Sequence, residues 1–347
     1  MPNGLYTSDG WLDFDYIASK GAWLNVIIGK RQVGKTYGTL KYMLDNSINH
    51  ILLRRTTAEI DTIAAMPDLS PYKVFEPDYR VGLFKSGKRM CRICDYETDG
   101  DGKPTPTLQR GIATSLSEIS HVRGFSGSVF TDLVFDEFIP EKTVITRKTE
   151  GDAFLNAYTT INGNRELAGN PPLRVWLLAN TNNIGSQILE ALNLTDLILY
   201  MRRKGKEELY NPNGLYIVQP SSEKITEARK ETALMRQVSD KSDFYGMALE
   251  NEFAYDASPY IKTLPLKNFT PAWSYDDAVF CWQRPEGYYI CRAPFRINAS
   301  NRYSGDRTGR ETLLMDFSFM KPYYYAGLIL FSDMRVLQIF KDIFGID

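Results

Sequence analysis

Short apolar runs alternate with helical stretches over the first two-thirds of the chain. Each run reads as continuous apolar sequence, which is typical of a parallel strand buried on both faces of a sheet. After the first run, Tyr37, Leu40 and Leu44 recur at helical spacing. The predicted strands comprise residues 23–28, 51–53, 133–135 and 175–179. This alternation of strand and helix predicts an α/β fold with a mainly parallel central sheet.

Within the first two-thirds, a hairpin is predicted at residues 80–94. The pattern changes in the last third of the chain, which becomes charged and helical in character from Ser221 onwards. The sequence then becomes rich in aromatic residues and proline, with a second hairpin pattern and an apolar C-terminal helix. The expected domains are a large α/β domain over residues 1–220, a helical linker or lid over 221–256 and a small β-rich C-terminal domain over 257–347.

The composition is that of a globular protein for which we expect no membrane span. The 347 residues carry a formal net charge of −1, and 43% of them are hydrophobic. The N-terminal segment is acidic and aromatic, and lacks the basic and apolar regions of a secretory signal. The four cysteines therefore suggest free thiols in a reducing cytosol. Since there is no basic excess, any nucleic-acid contact must use local basic patches.

A phosphate-binding loop follows the first predicted strand. Residues 29–36 read G-K-R-Q-V-G-K-T and match the P-loop pattern at every fixed position. In such a loop the backbone N–H groups and the next helix face the phosphates; here Lys35 would reach the β- and γ-phosphates and Thr36 would hold Mg²⁺. The alternative is an ordinary strand, turn and helix whose lysines have no such role. The predicted ATP-binding residues are Gly29, Lys30, Arg31, Gln32, Val33, Gly34, Lys35 and Thr36.

Two carboxylates end the third predicted strand. Asp136 and Glu137 follow a run of apolar residues, and ligands bind at the carboxyl ends of parallel strands. Asp136 is expected to hold Mg²⁺, and Glu137 is expected to orient or deprotonate the attacking water. A strand followed by a solvated acidic turn is the alternative. Because a nucleotide kinase needs no glutamate to activate water, the pair favours an ATPase.

Other polar residues extend this predicted site. Asn180 follows the fourth strand, where it is placed to sense the γ-phosphate or the attacking water. Ring motors complete each site with an arginine from a neighbouring subunit, and Arg123 and Arg165 are the candidates. A surface arginine without a function is an equal alternative for each. Arg54 and Arg55 end the second strand, and they are either nucleotide or DNA contacts or a solvated strand end.

Several of these segments together resemble a known family. Residues 31–36 resemble the R-Q-x-G-K-T form of the P-loop in terminase large subunits, and L-R-R-T at 53–56 resembles the next strand of that family. V-F-D-E-F-I at 134–139, N-R-E at 164–166 and the compact length resemble one branch more closely. That branch comprises the DNA encapsidation ATPases of small podophages with protein-primed linear genomes. By motif, the resemblance covers roughly residues 20–185.

This resemblance implies an ASCE-type P-loop NTPase that uses ATP and Mg²⁺ to drive double-stranded DNA into a viral procapsid. It implies a homo-oligomeric ring, pentameric in the best-known members, at the portal vertex in the host cytoplasm, with a packaging RNA as a further partner in some members. It also implies a trans-acting basic residue, which by position falls on Arg123 and, less directly, on Arg165.

The expected C-terminal domain offers acids but no nuclease constellation. The acids Asp276, Asp277, Asp306 and Asp316 are scattered, so we interpret this domain as a nuclease relic or a binding module without cleavage activity. Two other functions remain open for the whole chain. One is a different ring ATPase acting on nucleic acid, such as a helicase or partition protein, and the other is a nucleotide-binding adaptor without turnover.

Overall fold

The computed structural model describes most of the chain, in seven stretches. These are residues 4–87, 90–119, 129–140, 149–181, 186–238, 258–295 and 301–346. The chain divides into two compact units, and the second contains the expected C-terminal domain. The first unit comprises Met1–Leu192 and Tyr200–Tyr255, and the second comprises Asn193–Leu199 and Asp256–Asp347. The expected linker at 221–256 is therefore grouped almost entirely with the first unit.

The first unit is built on a nine-stranded mixed sheet. Its strands are β1 (Leu24–Ile28), β2 (His50–Arg54), β3 (Val81–Ser86), β4 (Met90–Thr98), β5 (Pro104–Ser115), β6 (Asp132–Asp136), β7 (Arg174–Ala179), β8 (Glu208–Asn211) and β9 (Leu215–Val218). Their order across the sheet is β3-β4-β5-β2-β6-β7-β1-β9-β8. The six strands from β5 to β9 in this order are parallel, and β3, β4 and β8 join antiparallel at the two edges.

The predicted central strands are confirmed. The four runs form β1, β2, β6 and β7, and the predicted hairpin forms β3 and β4. All residues of β1 and β6 are buried, as continuous apolar sequence requires of a strand covered on both faces. β7 lies between β1 and β6, the strand order expected of an ASCE-type P-loop fold. Because β1, β6 and β7 are parallel, the residues that follow each of them emerge at one edge of the sheet.

Helices cover the sheet of the first unit. They are α1 (Phe14–Ser19), α2 (Lys35–Asp45), α3 (Thr57–Ala65), α4 (Leu116–Ile119), α5 (Glu150–Asn162), α6 (Gln187–Ala191) and α8 (Glu223–Lys230). A further helix, α7 (Thr195–Arg203), is grouped with the second unit over its first half. The predicted helix after the first strand is α2, and its buried face includes Leu40, Met43 and Leu44. Tyr37, by contrast, is 47% exposed. Among the described residues, no helix has the length and apolar character needed to cross a membrane.

The core beneath α1 and α2 centres on a buried tryptophan of β7. Trp176 is fully buried, and its ring lies 6.0 Å from that of Phe14 and 5.8 Å from that of Tyr42. Its indole N–H donates to the Asp132 carboxylate at 2.8 Å, and Arg174 Nε donates to the same oxygen at 2.5 Å. Asp132 begins β6, so this polar cluster holds the amino ends of β6 and β7 together.

Replacing Asp132 by alanine should destabilise the first unit. The change leaves the Arg174 guanidinium and the Trp176 indole without their shared acceptor, and removal of one partner from a buried ion pair costs about 3 kcal/mol. Urea unfolding should show this loss. Asp45→Ala is the matched control, because the exposed Asp45 pairs with Lys41 and accepts from the Tyr79 hydroxyl at the surface, and its loss should cost under about 1 kcal/mol. Equal losses for the two variants would contradict the assignment.

Over residues 258–295 and 301–346, the second unit combines a smaller sheet with three helices. Its elements are β10 (Thr270–Tyr275), β11 (Val279–Arg284), β12 (Gly287–Cys291), β13 (Arg302–Tyr303), β14 (Ile329–Phe331), α9 (Arg307–Asp316), α10 (Met320–Tyr325) and α11 (Met334–Phe344). The strand order is β13-β10-β11-β12-β14, with β10, β11 and β12 forming an antiparallel meander. The predicted second hairpin is β11 and β12, and the predicted apolar C-terminal helix is α11.

Candidate nucleotide-binding site

The P-loop connects β1 to α2 at the carboxyl edge of the parallel strands. The Gly29 amide donates to the Ala179 carbonyl at 3.2 Å, which fixes the start of the loop beside β7. Gly34 caps α2 with a φ of +86°, a left-handed conformation in which glycine is least strained. A Cβ on Gly34 would meet the Trp11 ring at 3.3 Å. The loop is therefore closely packed where it turns into the helix.

Lys35 projects from the first turn of α2 into the curl of the loop. Its ammonium group donates to the carbonyls of Gly29 at 2.9 Å and Lys30 at 2.7 Å, and to Asn180 Oδ1 at 3.0 Å. Burial lowers the pKa of Lys35 to about 7, and the Asp136 carboxylate opposes this shift. A buried ammonium of this kind is stabilised when an anion arrives, because the charged form then gains a partner.

Thr36 and Asp136 meet at the centre of the site. The Thr36 hydroxyl lies 3.0 Å from each oxygen of the Asp136 carboxylate. Hydroxyl and carboxylate oxygens suit Mg²⁺, which binds through one or two carboxylates together with substrate phosphates. Within the described stretches, no group of three or more His, Cys, Asp or Glu could hold a metal by itself. The donors present therefore fit an ion that binds jointly with phosphates.

One arginine bridges both acids at the end of β6. Arg54 ends the neighbouring β2, and its Nη2 lies 3.0 Å from Asp136 Oδ2 while its Nη1 lies 3.2 Å from Glu137 Oε2. The Asp136 side chain is 5% exposed, whereas that of Glu137 is 60% exposed. Glu137 has a φ of +58°, which turns the chain sharply after the strand. The Glu137 carboxylate therefore faces outward from the edge of the sheet, while the Asp136 carboxylate is buried.

Lys30 points away from the curl of the loop. Its ammonium group is buried and donates to the carbonyls of Ser221 at 2.8 Å and Ser222 at 3.2 Å, and to the Thr226 hydroxyl. Burial lowers the pKa of Lys30 to about 8. In this structure the side chain at the second loop position therefore fastens α8, and Lys35 is the lysine directed into the loop.

The chain is similar to known proteins in sequence and in fold. The family described as podovirus DNA encapsidation protein (Gp16) matches residues 10–280. The chain belongs to this family. It is 25% identical over 245 residues to the DNA packaging protein of Bacillus phage B103, a match that covers 69% of this chain and 67% of that protein.

Two solved structures share the fold of this encapsidation protein. The bacteriophage Phi-29 viral genome packaging motor assembly matches with a TM-score of 0.62 and 19% identity, over 99% of both chains. The Phi-28 gp11 DNA packaging motor matches with a TM-score of 0.61 and 16% identity, over 98% of this chain and 99% of that one. At these identities the likeness concerns the fold, and it extends over both units.

The two arginines at the end of β2 are not a solvated strand end. Arg54 is held by the two acids, and Arg55 Nη2 donates to Glu150 Oε1 at 2.6 Å. Their side chains are 14% and 7% exposed. The solvated alternative is therefore wrong for both, and the burial of Arg55 also argues against a DNA contact at that residue.

The two candidate trans-acting arginines are placed differently. Arg123 lies outside the described residues. Arg165 follows α5 and donates through Nη2 to the carbonyl of Phe130, which precedes β6. Arg165 therefore lies at the amino edge of the parallel strands, opposite its own P-loop. Its role toward a neighbouring subunit stays a prediction.

Two residues beside the P-loop had no role in the sequence-based prediction. Trp11 lies against Gly34 and is 44% exposed, and Arg229 of α8 donates through Nη1 to the Arg31 carbonyl at 2.9 Å. Neither belongs to a recognisable pattern in the sequence. Trp11 stands in an acidic and aromatic N-terminal segment, and Arg229 is one charge among many in a charged helix.

Proposed function

We propose that this chain is an ATP-driven motor subunit that translocates double-stranded DNA into a viral procapsid. The convergence of Lys35, Thr36, Asp136 and Glu137 at one sheet edge is the observation that supports it most directly. That arrangement suits ATP hydrolysis, and the chain belongs to a family named for DNA encapsidation.

The loop residues bind the triphosphate in this proposal. The backbone of residues 29–36 surrounds the phosphates, and Lys35 exchanges part of its carbonyl contacts for the β- and γ-phosphate oxygens. Asn180, which holds Lys35 from the end of β7, senses the γ-phosphate through the same contact. Thr36 and Asp136 hold Mg²⁺, which when bound neutralises charge on the phosphates.

Glu137 orients and deprotonates the attacking water. The water proton passes to the carboxylate, the water oxygen bonds to the γ-phosphorus, and the bond from that phosphorus to the bridging oxygen of ADP breaks. Arg54 now pairs with Glu137, so this carboxylate must exchange the guanidinium for water before it acts as a base. Arg54 also pairs with Asp136, so it stays in the site after the exchange.

An arginine from a neighbouring subunit completes each site, and Arg123 is the first candidate, followed by Arg165. If the residue acts in trans, one defective subunit disables a site in its neighbour and stalls a ring that works in sequence. Mixing Arg123→Ala with wild-type subunits should therefore reduce ATPase and packaging activity more steeply than the mutant fraction. The activity of mixed rings, measured against composition, tests this. A strictly proportional loss for both Arg123→Ala and Arg165→Ala would exclude the trans role for either residue.

The proposed partners follow from the same assignment. The motor is a homo-oligomeric ring, pentameric by resemblance, that acts on double-stranded DNA at the portal of a procapsid in the host cytoplasm. A packaging RNA is a further proposed partner. Residues 1–220 supply the ATPase, residues 221–256 act as a linker or lid, and residues 257–347 contact nucleic acid or the portal.

We propose no nuclease activity for the second unit. Three of the four acids named above have other partners: Asp277 pairs with Arg302, Asp306 accepts from the Gly309 amide at 2.7 Å, and Asp316 accepts from the Tyr303 hydroxyl at 2.7 Å. These contacts hold each carboxylate in a structural interaction. Incubating the protein with plasmid DNA and Mn²⁺ or Mg²⁺ tests this directly, since cleavage would overturn it.

The packaging assay tests the whole proposal. Purified protein, ATP and empty procapsids are incubated with genomic DNA, and protection of the DNA from added nuclease is measured. Protection that requires ATP is the expected result. Strand separation without packaging would instead favour a helicase, and nucleotide binding without phosphate release would favour an adaptor that does not turn over.

A further inference from the structure

A basic turn connects α7 to β8. Four of the five residues from Arg202 to Lys206 are basic, and none is acidic. We call residues 202–206 the basic turn. β8 is the last strand in the sheet order, so the basic turn lies beside an outer strand of the sheet. Because the whole chain carries a net charge of −1, this run is a local concentration of positive charge.

Hydrogen bonds fix the backbone of the basic turn. The Gly205 amide donates to the Arg202 carbonyl at 3.0 Å, and the Lys206 amide donates to the Met201 carbonyl at 2.9 Å. Two such bonds form a motif that commonly ends an α-helix, with glycine in the left-handed conformation. Gly205 has a φ of +60°, as this motif requires. The lysines of the basic turn are therefore attached to a backbone of defined geometry.

The lysine side chains of the basic turn face solvent without an acidic partner. Lys204 and Lys206 are exposed, and within the described part of the chain neither forms an ion pair. The Lys206 ammonium lies 5.7 Å from the centre of the Tyr200 ring, and Tyr200 is 41% exposed. A ring face attracts a cation, so this contact favours one position of the Lys206 side chain. Both ammonium groups can therefore meet an anion at the surface.

The two acids that follow the basic turn are bound elsewhere. Glu207 accepts from the Tyr6 hydroxyl at 2.7 Å and from the Ser221 hydroxyl. Glu208 accepts from the Tyr216 hydroxyl. Neither carboxylate pairs with a lysine of the basic turn, so the positive charge of the turn is not cancelled by its nearest acids in the sequence.

The basic turn lies at the same edge of the sheet as the P-loop. β8 runs antiparallel to β9, and Glu208 at its start pairs with Val218 at the end of β9. β9 is parallel to β1, so its end emerges where the P-loop follows β1. Ser221 connects the two segments, because its hydroxyl donates to Glu207 and its carbonyl accepts from the Lys30 ammonium at 2.8 Å. A single residue therefore joins the end of the basic turn to the ATP-binding loop.

Resting on the proposed function, we propose that the basic turn binds the phosphate backbone of double-stranded DNA through Lys204 and Lys206. A motor must hold whatever sequence passes through it, and phosphate contacts carry no sequence information directly. A lysine ammonium is a compact charge with three donors, which suits phosphate oxygens in many orientations. Since a duplex carries one negative charge per about 1.7 Å of its axis, each lysine finds a phosphate. The DNA contact is then joined through Ser221 to the loop that binds ATP.

The salt dependence of DNA binding tests the proposal. Each phosphate contact releases counterions, and its loss lowers the slope of log K against log salt by about 0.9. The double variant Lys204→Ala and Lys206→Ala should therefore lower the slope by about 2, equally on duplexes of different sequence. The double variant Lys204→Arg and Lys206→Arg keeps both charges and should keep the slope. Fluorescence anisotropy of a labelled duplex with the full chain, between about 50 and 200 mM salt, gives the slope.

The double variant Lys85→Ala and Lys103→Ala is the matched control. Both lysines are exposed, in β3 and in the turn before β5, so this variant removes equal charge toward the opposite edge of the same sheet. Its slope should stay within about 0.5 of wild type.

Three results would overturn the inference. One is an equal fall in slope for the control and for Lys204→Ala with Lys206→Ala. Another is an unchanged slope in the latter variant, and the third is a fall on duplex RNA that is not seen on duplex DNA. Failure of the wild-type chain to bind duplex DNA at all would instead count against the proposed function.

Discussion

Glu137→Gln should bind ATP with near wild-type affinity and hydrolyse it at least about a hundredfold more slowly, because a general base contributes about 10²–10⁴ to the rate. The glutamine keeps the size and exposure of the side chain but takes up no proton from water. Its amide also pairs less strongly with Arg54. Because residues 29–36 are proposed to bind the ATP, the affinity for ATP should not fall. Single-turnover phosphate release measures the rate, and retention of labelled ATP measures binding.

The other arginine–glutamate pair at the end of β2 supplies the control. Glu150→Gln weakens a buried contact to Arg55, in a position where we assign no chemistry. It should therefore retain hydrolysis within a few-fold of wild type, provided that it folds. Equal loss of hydrolysis in Glu137→Gln and Glu150→Gln would mean that both acids act only through the fold. Full hydrolysis by Glu137→Gln would show that Glu137 is not the general base.

Lys35→Ala should weaken ATP binding by about a hundredfold, since a charge-assisted hydrogen bond contributes about 1.5–3 kcal/mol. Turnover should become undetectable, because the charge that builds on the phosphates in the transition state loses its nearest cation. Titration with a fluorescent ATP analogue and steady-state phosphate release measure the two effects. Trp11, which lies against Gly34, offers an intrinsic fluorescence signal for the same titration.

Lys41→Ala is the matched control for Lys35→Ala. Lys41 lies on the same helix, is exposed and pairs with Asp45 at 2.8 Å, so its loss removes equal charge away from the loop. Binding and turnover in this variant should stay within about twofold of wild type, since exposed ion pairs contribute little. Lys35→Ala with unchanged ATP affinity would show that the curl of the loop does not hold phosphate.

The sequence was sufficient for the parts of the site whose pattern is local. The P-loop spacing and the apolar runs are properties of short segments, and β1, β2, β6 and β7 follow them closely. The position of Asp136 and Glu137 at the carboxyl end of β6 was predictable for the same reason, since the two acids follow a buried apolar run. The meeting of Thr36 with Asp136 then follows from parallel strands ending at one edge.

The contacts that the sequence did not reveal join segments far apart in the chain. Nothing in residues 29–36 indicates that Lys30 turns toward α8, and nothing in α8 marks Arg229. The arginines at the carboxyl end of β2 are a second example. From the sequence, Arg54 and Arg55 are equally compatible with a solvated strand end, and only the fold brings their acidic partners beside them. Partners brought together by the fold leave no periodic signal in either segment.

β6 carries Asp132 at one end and Asp136 at the other, on a strand only five residues long. At about 3.3 Å per residue, the two carboxylates are attached roughly 13 Å apart along a single rigid strand. The same short strand therefore carries a buried polar cluster at its amino end and the carboxylate proposed to hold Mg²⁺ at its carboxyl end. A substitution at Asp132 is therefore expected to change the free energy of unfolding while leaving the proposed ATP site in place.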